Sequence, residues 1–262
     1  MATIPSNPFG AVGAATLGFL SEIGRIGVFA GRGAMHAFLP PIFFRELLKQ
    51  LLRIGYASLP VVGLTAVFTG AALALNIYTG GERSGVESFL PQIVGVAITR
   101  ELGPVLAALM LAGRVSAAIA AEIGTMRVTE QVDALTTLSV NPFKYLIGPR
   151  LAAATLTLPA LVFVADIIGV YGGWLVSVYA LDFNGATYIR NVADFVTFDD
   201  VFTGLIKAAT FGFLLALMGC YHGYYSTGGA QGVGRATTNA VVSAAILIFA
   251  SNYLLTSVFV QA

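Results

Sequence analysis

Residues 57–81 read ASLPVVGLTAVFTGAALALNIYTGG, a run without one charged side chain. A helix needs about 17 to 25 predominantly apolar residues to cross a bilayer, so this run is long enough to span one. Two further stretches behave alike: Leu151 to Ala165, which continues past a single Asp166 to Leu181, and Ala236 to Ala262. The composition agrees, with 57% hydrophobic and 10% charged residues, where an average soluble domain carries roughly 25% charged. Such a chain cannot clothe a globule in water. Its apolar runs do not alternate with polar residues, which argues against a membrane β-barrel. The expected fold is therefore an all-α polytopic membrane protein.

The net charge of +1 gives no basic field for nucleic acid. One cysteine, Cys220, allows neither an internal disulfide nor a thiolate metal cluster. The first basic residue is Arg25, so no basic region precedes an apolar core, and targeting is expected to rest on internal helices rather than a cleavable signal.

With no internal repeat and no long linker, the chain divides into an N-terminal helical segment, 1–56, at the cytoplasmic face or interface, and one membrane domain, 57–262. In the first, Phe44, Leu47, Leu48, Leu51 and Leu52 form an apolar stripe beside a basic stripe of Arg45, Lys49 and Arg53. Pro40 and Pro41 set this helix, Phe44 to Tyr56, apart from the Gly-rich stretch before it, and its two faces suit a membrane surface. Five spans are expected, near Ala57–Tyr78, Ser88–Gly113, Leu151–Ala180, Val201–Tyr221 and Ala240–Val260.

Basic residues concentrate in the N-terminal segment (Arg25, Arg32, Arg45, Lys49, Arg53), after the second span (Arg127, Lys144, Arg150) and after the fourth (Arg235). The alternate connections hold Arg83 and Arg190 among Glu82, Glu87, Asp182, Asp194, Asp199 and Asp200. The positive-inside rule then places the N-terminus in the cytoplasm and the C-terminus in the periplasm.

Ionisable residues at membrane depth cost about 2.5 to 3.5 kcal/mol on insertion scales and mark positions of interest. Arg100 and Glu101 sit mid-way along the second span, next to the helix-loosening Gly103 and Pro104. Neighbours on a helix point about 100° apart, so the two need not pair with each other. The residues alone admit a lipid-headgroup or gating site and equally a structural ion pair. Asp166, followed by Gly169, Gly172 and Gly173 at a spacing that lets helices approach closely, reads as a buried polar group hydrogen-bonded to a neighbouring helix. Arg114 and Lys207 fall near span ends, where they are expected to snorkel.

No Gly-Lys-Ser or Gly-Lys-Thr occurs, and Lys49, Lys144 and Lys207 follow no glycine-rich loop, so no nucleotide site is expected in this chain. His36 and His222 lack ligand-type neighbours, and no metal is expected. No serine sits in a nucleophile elbow. Gly228, Gly229, Gly232 and Gly234 follow no strand and read as a flexible turn. Between the second and third spans, Val128, Val132, Leu135 and Leu138 form one apolar stripe, with Arg127, Glu130 and Asp133 on its polar flanks. A short amphipathic helix over about 122–138 would dock into a groove of a partner, or it is a plain surface helix.

Several motifs together resemble the MlaE/YrbE permease family: Arg100-Glu101-Leu102-Gly103-Pro104-Val105, Ala112-Gly113-Arg114, Glu122-Ile123-Gly124 with Met126-Arg127 and Thr129-Glu130-Gln131, Asn141-Pro142, and Gly234-Arg235-Ala236-Thr237-Thr238. The likeness runs from about Arg45 to the C-terminus and is weak over the first forty residues. It implies an ABC transporter core of two permease copies (a homodimer) and two cytoplasmic ATPases that bind ATP and Mg, with no cofactor in this chain. It further implies a periplasmic hexamer of MCE-domain proteins, in some systems a STAS-domain protein, and phospholipid or a related lipid as cargo in a bacterial inner membrane. Carried over by motif, Leu75, Tyr78, Arg100, Glu101 and Arg235 would line or gate a lipid cavity, and Glu122, Met126, Arg127, Glu130, Gln131 and Asp133 would couple to the ATPase. Asp133-Ala134-Leu135 departs from some branches of the family. Two rivals stand beside this reading: a proton-coupled secondary transporter working through Glu101 and Asp166, and a passive membrane anchor of a periplasmic complex.

Overall fold

A computed structural model describes residues 8–38, 43–81 and 89–261. Pro40, Pro41, Glu82, Arg83, Glu87 and Ser88, used above, lie outside the described residues. In chain order the elements are α1 (Pro8–Phe38), α2 (Phe44–Ile54), α3 (Leu59–Gly81), α4 (Leu90–Ala97), α5 (Gly103–Leu111), α6 (Ala117–Val128), α7 (Gln131–Thr137), α8 (Gly148–Tyr179), α9 (Gly185–Phe195), α10 (Phe198–Tyr224) and α11 (Gly229–Gln261). π-helical turns at Ile98–Leu102 and Ala112–Ser116 join α4, α5 and α6 into one rod, and a third, Phe143–Ile147, leads into α8.

Five continuous stretches are long and apolar enough to cross a membrane: Phe44–Gly81, Leu90–Val128, Phe143–Tyr179, Phe198–Tyr224 and Gly229–Phe259. This is an all-α, multi-pass membrane protein. The second stretch runs well past the expected end at Gly113, because the charges after it are absorbed into α6 rather than into a loop. The last begins about three turns ahead of the expected Ala240. Gly228 and Gly229 carry the turn with φ of 88° and 64°, a region glycine enters without a Cβ penalty. Gly232 and Gly234, expected in the same flexible turn, already belong to α11.

Helices in lipid gain little from burying apolar surface against one another and rely on close packing. The α3–α8 pair shows how. A Cβ on Gly70 would lie 1.8 Å from the Gly169 carbonyl oxygen, and one on Gly172 would lie 2.2 Å from that of Val67. The small-residue spacing after Asp166 is thus a backbone-to-backbone contact. α8 and α10 supply the centre of the core, with Leu151, Leu158, Phe211, Leu215 and Met218 buried. Leu64, Phe68, Phe163, Ile167, Ile246 and Phe249 point outward, as apolar side chains do where the solvent is acyl chain.

α1 was not legible as a long helix in its Gly-rich sequence. It is held by Phe29, buried among the rings of Phe143, Tyr221, Tyr224 and Tyr225 at centroid distances of 5.2 to 6.0 Å. The Tyr221 hydroxyl also donates to Glu22 at 2.7 Å, and that bond is the main cause holding the Glu22 carboxyl below its ordinary value.

Candidate functional site

The π turn Ile98–Leu102 lies inside the second membrane stretch and carries Arg100 and Glu101. Its local cause is Pro104, which has no N–H to give the Arg100 carbonyl four residues back. Single π turns of this sort recur at functional sites. Lys207 of α10 takes up the opening: its Nζ donates to the Arg100 carbonyl oxygen at 3.1 Å, to Glu101 Oε1 at 2.6 Å and to Thr256 Oγ1 at 2.8 Å. An ammonium has three protons, and all three are used. Glu101 accepts two more bonds from α11, from Thr256 Oγ1 at 3.0 Å and from Asn252 Nδ2 at 3.0 Å.

Gly204, just before Lys207 on α10, makes this reach possible, since a Cβ there would lie 2.2 Å from the Thr99 carbonyl oxygen. The Lys207 side chain is wholly enclosed, whereas Glu101 keeps 36% of its side chain exposed. The cluster is therefore sealed on one side and open on the other. Arg100 turns away from Glu101, as expected for adjacent positions, and its Nη1 lies 3.6 Å from Asp200 Oδ1.

Lys207 does not snorkel. α10 begins at Phe198, which puts Lys207 roughly 14 Å inside the helix at 1.5 Å per residue, too deep for its stem to reach an end. Sequence reading also missed Asn252 and Thr256, whose only signal was two polar residues four apart on an apolar helix.

Asp166 is buried, but neither carboxylate oxygen has a hydrogen-bond partner among the described residues. The expected bond to a neighbouring helix is not made. The reason is spatial: the side chain abuts Gly103, where a Cβ would lie 2.0 Å from Oδ1, and glycine offers no side-chain donor. Leu75 is exposed on α3, and Tyr78 packs edge-on to Phe183 at 6.3 Å. Within one chain neither joins the Glu101 cluster. Nor does Arg235, whose guanidinium lies over Gly228 on a polar face shared with Gln231, Thr238 and Asn239.

The expected single helix over 122–138 is two. Glu122, Met126 and Arg127 lie in α6, the last segment of the rod, and Gln131 and Asp133 belong to the short α7. Glu130 makes the elbow with φ 61° and ψ 11°, a left-handed conformation unusual for a residue with a Cβ. Arg127 closes that elbow on Asp133 at 2.5 Å and lies 5.8 Å from the Tyr224 ring centroid. Val132 is buried, yet Leu138 of the same apolar stripe is exposed. Glu122 lies 2.7 Å from Arg53 Nη1 and 3.2 Å from Arg150 Nη2, and ties α2, α6 and α8 together.

The sequence profile of a family described as Permease MlaE matches residues 47–258. The chain belongs to the MlaE permease family. A probable ABC transporter permease protein of Rickettsia bellii is 53% identical over 248 residues, covering 95% of this chain and 96% of the relative. The intermembrane phospholipid transport system permease protein MlaE of Haemophilus influenzae is 32% identical, covering 96% and 97%. The chloroplastic protein TRIGALACTOSYLDIACYLGLYCEROL 1 of Arabidopsis thaliana is 35% identical, covering 89% of this chain and 67% of that protein. The matched region covers nearly the whole of the five membrane stretches, so this MlaE-family chain is a membrane permease component.

Proposed function

We propose that this chain is the membrane subunit of an ABC transporter that moves phospholipid, or a related lipid, between the inner and outer membranes of a bacterium. ATP and Mg would be bound and used by a separate cytoplasmic ABC subunit, and the permease would work as a homodimer beneath a periplasmic hexamer of MCE-domain proteins, with a STAS-domain protein as a further partner. The N-terminus would be cytoplasmic and the C-terminus periplasmic, which sets the α6–α7 elbow on the ATPase side.

The observation that carries this reading is the Glu101–Lys207 cluster, deep in the bundle, enclosed behind Lys207 and accessible at Glu101. Apolar walls alone would accept acyl chains and reject a headgroup. A carboxylate whose bonds come from side chains on two other helices can exchange one of those donors for a passing headgroup as the helices shift. The name of the Haemophilus relative supports phospholipid as cargo, and that of the Rickettsia bellii relative supports an ATPase partner over a proton-driven route through Glu101 and Asp166.

The test is lipid transfer between vesicles by the permease reconstituted with its ATPase. Glu101→Gln should lower transfer by roughly tenfold or more, the scale of a lost charge-assisted bond. Unchanged transfer would remove Glu101 from the path. Replacing Arg127 and Glu130 together should abolish stimulation of the ATPase while membrane insertion persists; preserved stimulation would take the elbow out of coupling.

A further inference from the structure

Between α2 and the π turn Ala112–Ser116 the outer surface holds a small open-sided cleft. Its floor includes Ile54 and Ile119, and its polar rim is Gln50, Arg53, Arg114 and Glu122. The charges there do not cancel. Glu122 is already shared between Arg53 and Arg150, the latter 5% exposed. Arg114 gives one bond to Ser58 Oγ and makes no ion pair within 4 Å among the described residues. In the cleft itself two guanidiniums, Arg53 and Arg114, therefore stand against one carboxylate, which the buried Arg150 also engages.

The depth of the cleft follows from α2. That helix exposes Phe44, Leu48 and Leu52 beside its basic stripe, the pattern of a helix lying at the boundary between headgroups and acyl chains. A guanidinium at that level lies within reach of lipid headgroups. Its planar fork of donors matches the oxygens of a phosphate, and its weak hydration makes it the cation best suited to a half-apolar site.

We propose that this cleft binds the phosphate of an anionic membrane phospholipid, gripped by Arg114 together with Arg53 and the Gln50 amide. The site is separate from the Glu101–Lys207 cluster and does not depend on which lipid the transporter carries. The apolar floor, and the exposed apolar residues of α2 alongside it, give the ester chains a surface that a free phosphate would not use. A lipid seated there would add a tie between the interfacial helix α2 and the rod that carries Arg100 and Glu101.

The purified full chain in mild detergent is titrated with phosphatidylglycerol, phosphatidylcholine or inorganic phosphate while its melting temperature is followed. Phosphatidylglycerol should raise the melting temperature at concentrations where the other two do not, and Arg114→Gln should weaken that effect roughly tenfold. Arg114→Lys, which keeps the charge and loses the fork, should fall between the two. Should Arg114→Gln not fold, Gln50→Leu replaces it, with a smaller weakening expected. Equal protection by both phospholipids, or a phosphatidylglycerol effect unchanged by these variants, would overturn the site. Protection by inorganic phosphate as strong as that by phosphatidylglycerol would overturn the lipid as its source.

Discussion

Glu101 receives bonds from Lys207, Asn252 and Thr256, side chains of two other helices, whereas Asp166, deeper in its own surroundings, receives none among the described residues. Both are carboxylates in apolar helices next to the same bend: Glu101 on the π turn, Asp166 against Gly103 at its end. The first is a node that many groups depend on. The second is enclosed by close packing, and its contact with the rod is one of shape. A charged residue inside a membrane helix thus has no single meaning. What decides its importance is which other helices supply its partners.

The largest expected effect follows from removing the partner rather than the carboxylate. Lys207→Met leaves Glu101 without its ammonium and should destabilise the protein by about 3 to 5 kcal/mol, read as a fall in melting temperature in detergent. Adding Glu101→Leu to it should recover much of that loss; no recovery would mean the pair is not the unit described. Of intermediate size, Gly103→Ala places a methyl group against Asp166 and should cost about 1 to 3 kcal/mol. Asp166→Ala in the same chain should relieve most of it, leaving the 2.9 Å approach to the Ile98 carbonyl oxygen, and additive losses would show that the contact is not the cause. Smallest is Asp166→Asn, which keeps the shape and forfeits no hydrogen bond. It should shift stability by less than about 1 kcal/mol, and a loss as large as that of Lys207→Met would erase the contrast between the two carboxylates.

The spans were legible because uncharged length is a property of the chain itself, and Arg100 and Glu101 stood out for the same reason. Lys207 was misplaced because distance to a helix end depends on where the helix starts, and α10 starts at Phe198, three residues ahead of the expected Val201. A better signal was available: Asp200 and Lys207 on one span are opposite in sign to Arg100 and Glu101 on another, and buried charges require such complements. The break at Glu130 was hidden by the apolar period, which continues through Val128, Val132 and Leu135 as if the helix did. α1 was hidden by its glycines, which lower intrinsic helix propensity. Its order comes from the ring cluster around Phe29, a tertiary cause that local sequence does not show.

The glycines of α3 and α8 carry a mechanical consequence. Where two backbones touch without side chains between them, there is no soft layer to shear, and a slide of one residue would drive Val67 or Gly70 into the opposing chain. These two helices behave as a single beam. Any movement beside them must come from other helices; α11, tied in through Asn252 and Thr256, leaves most of its apolar length uncovered by the rest of the chain.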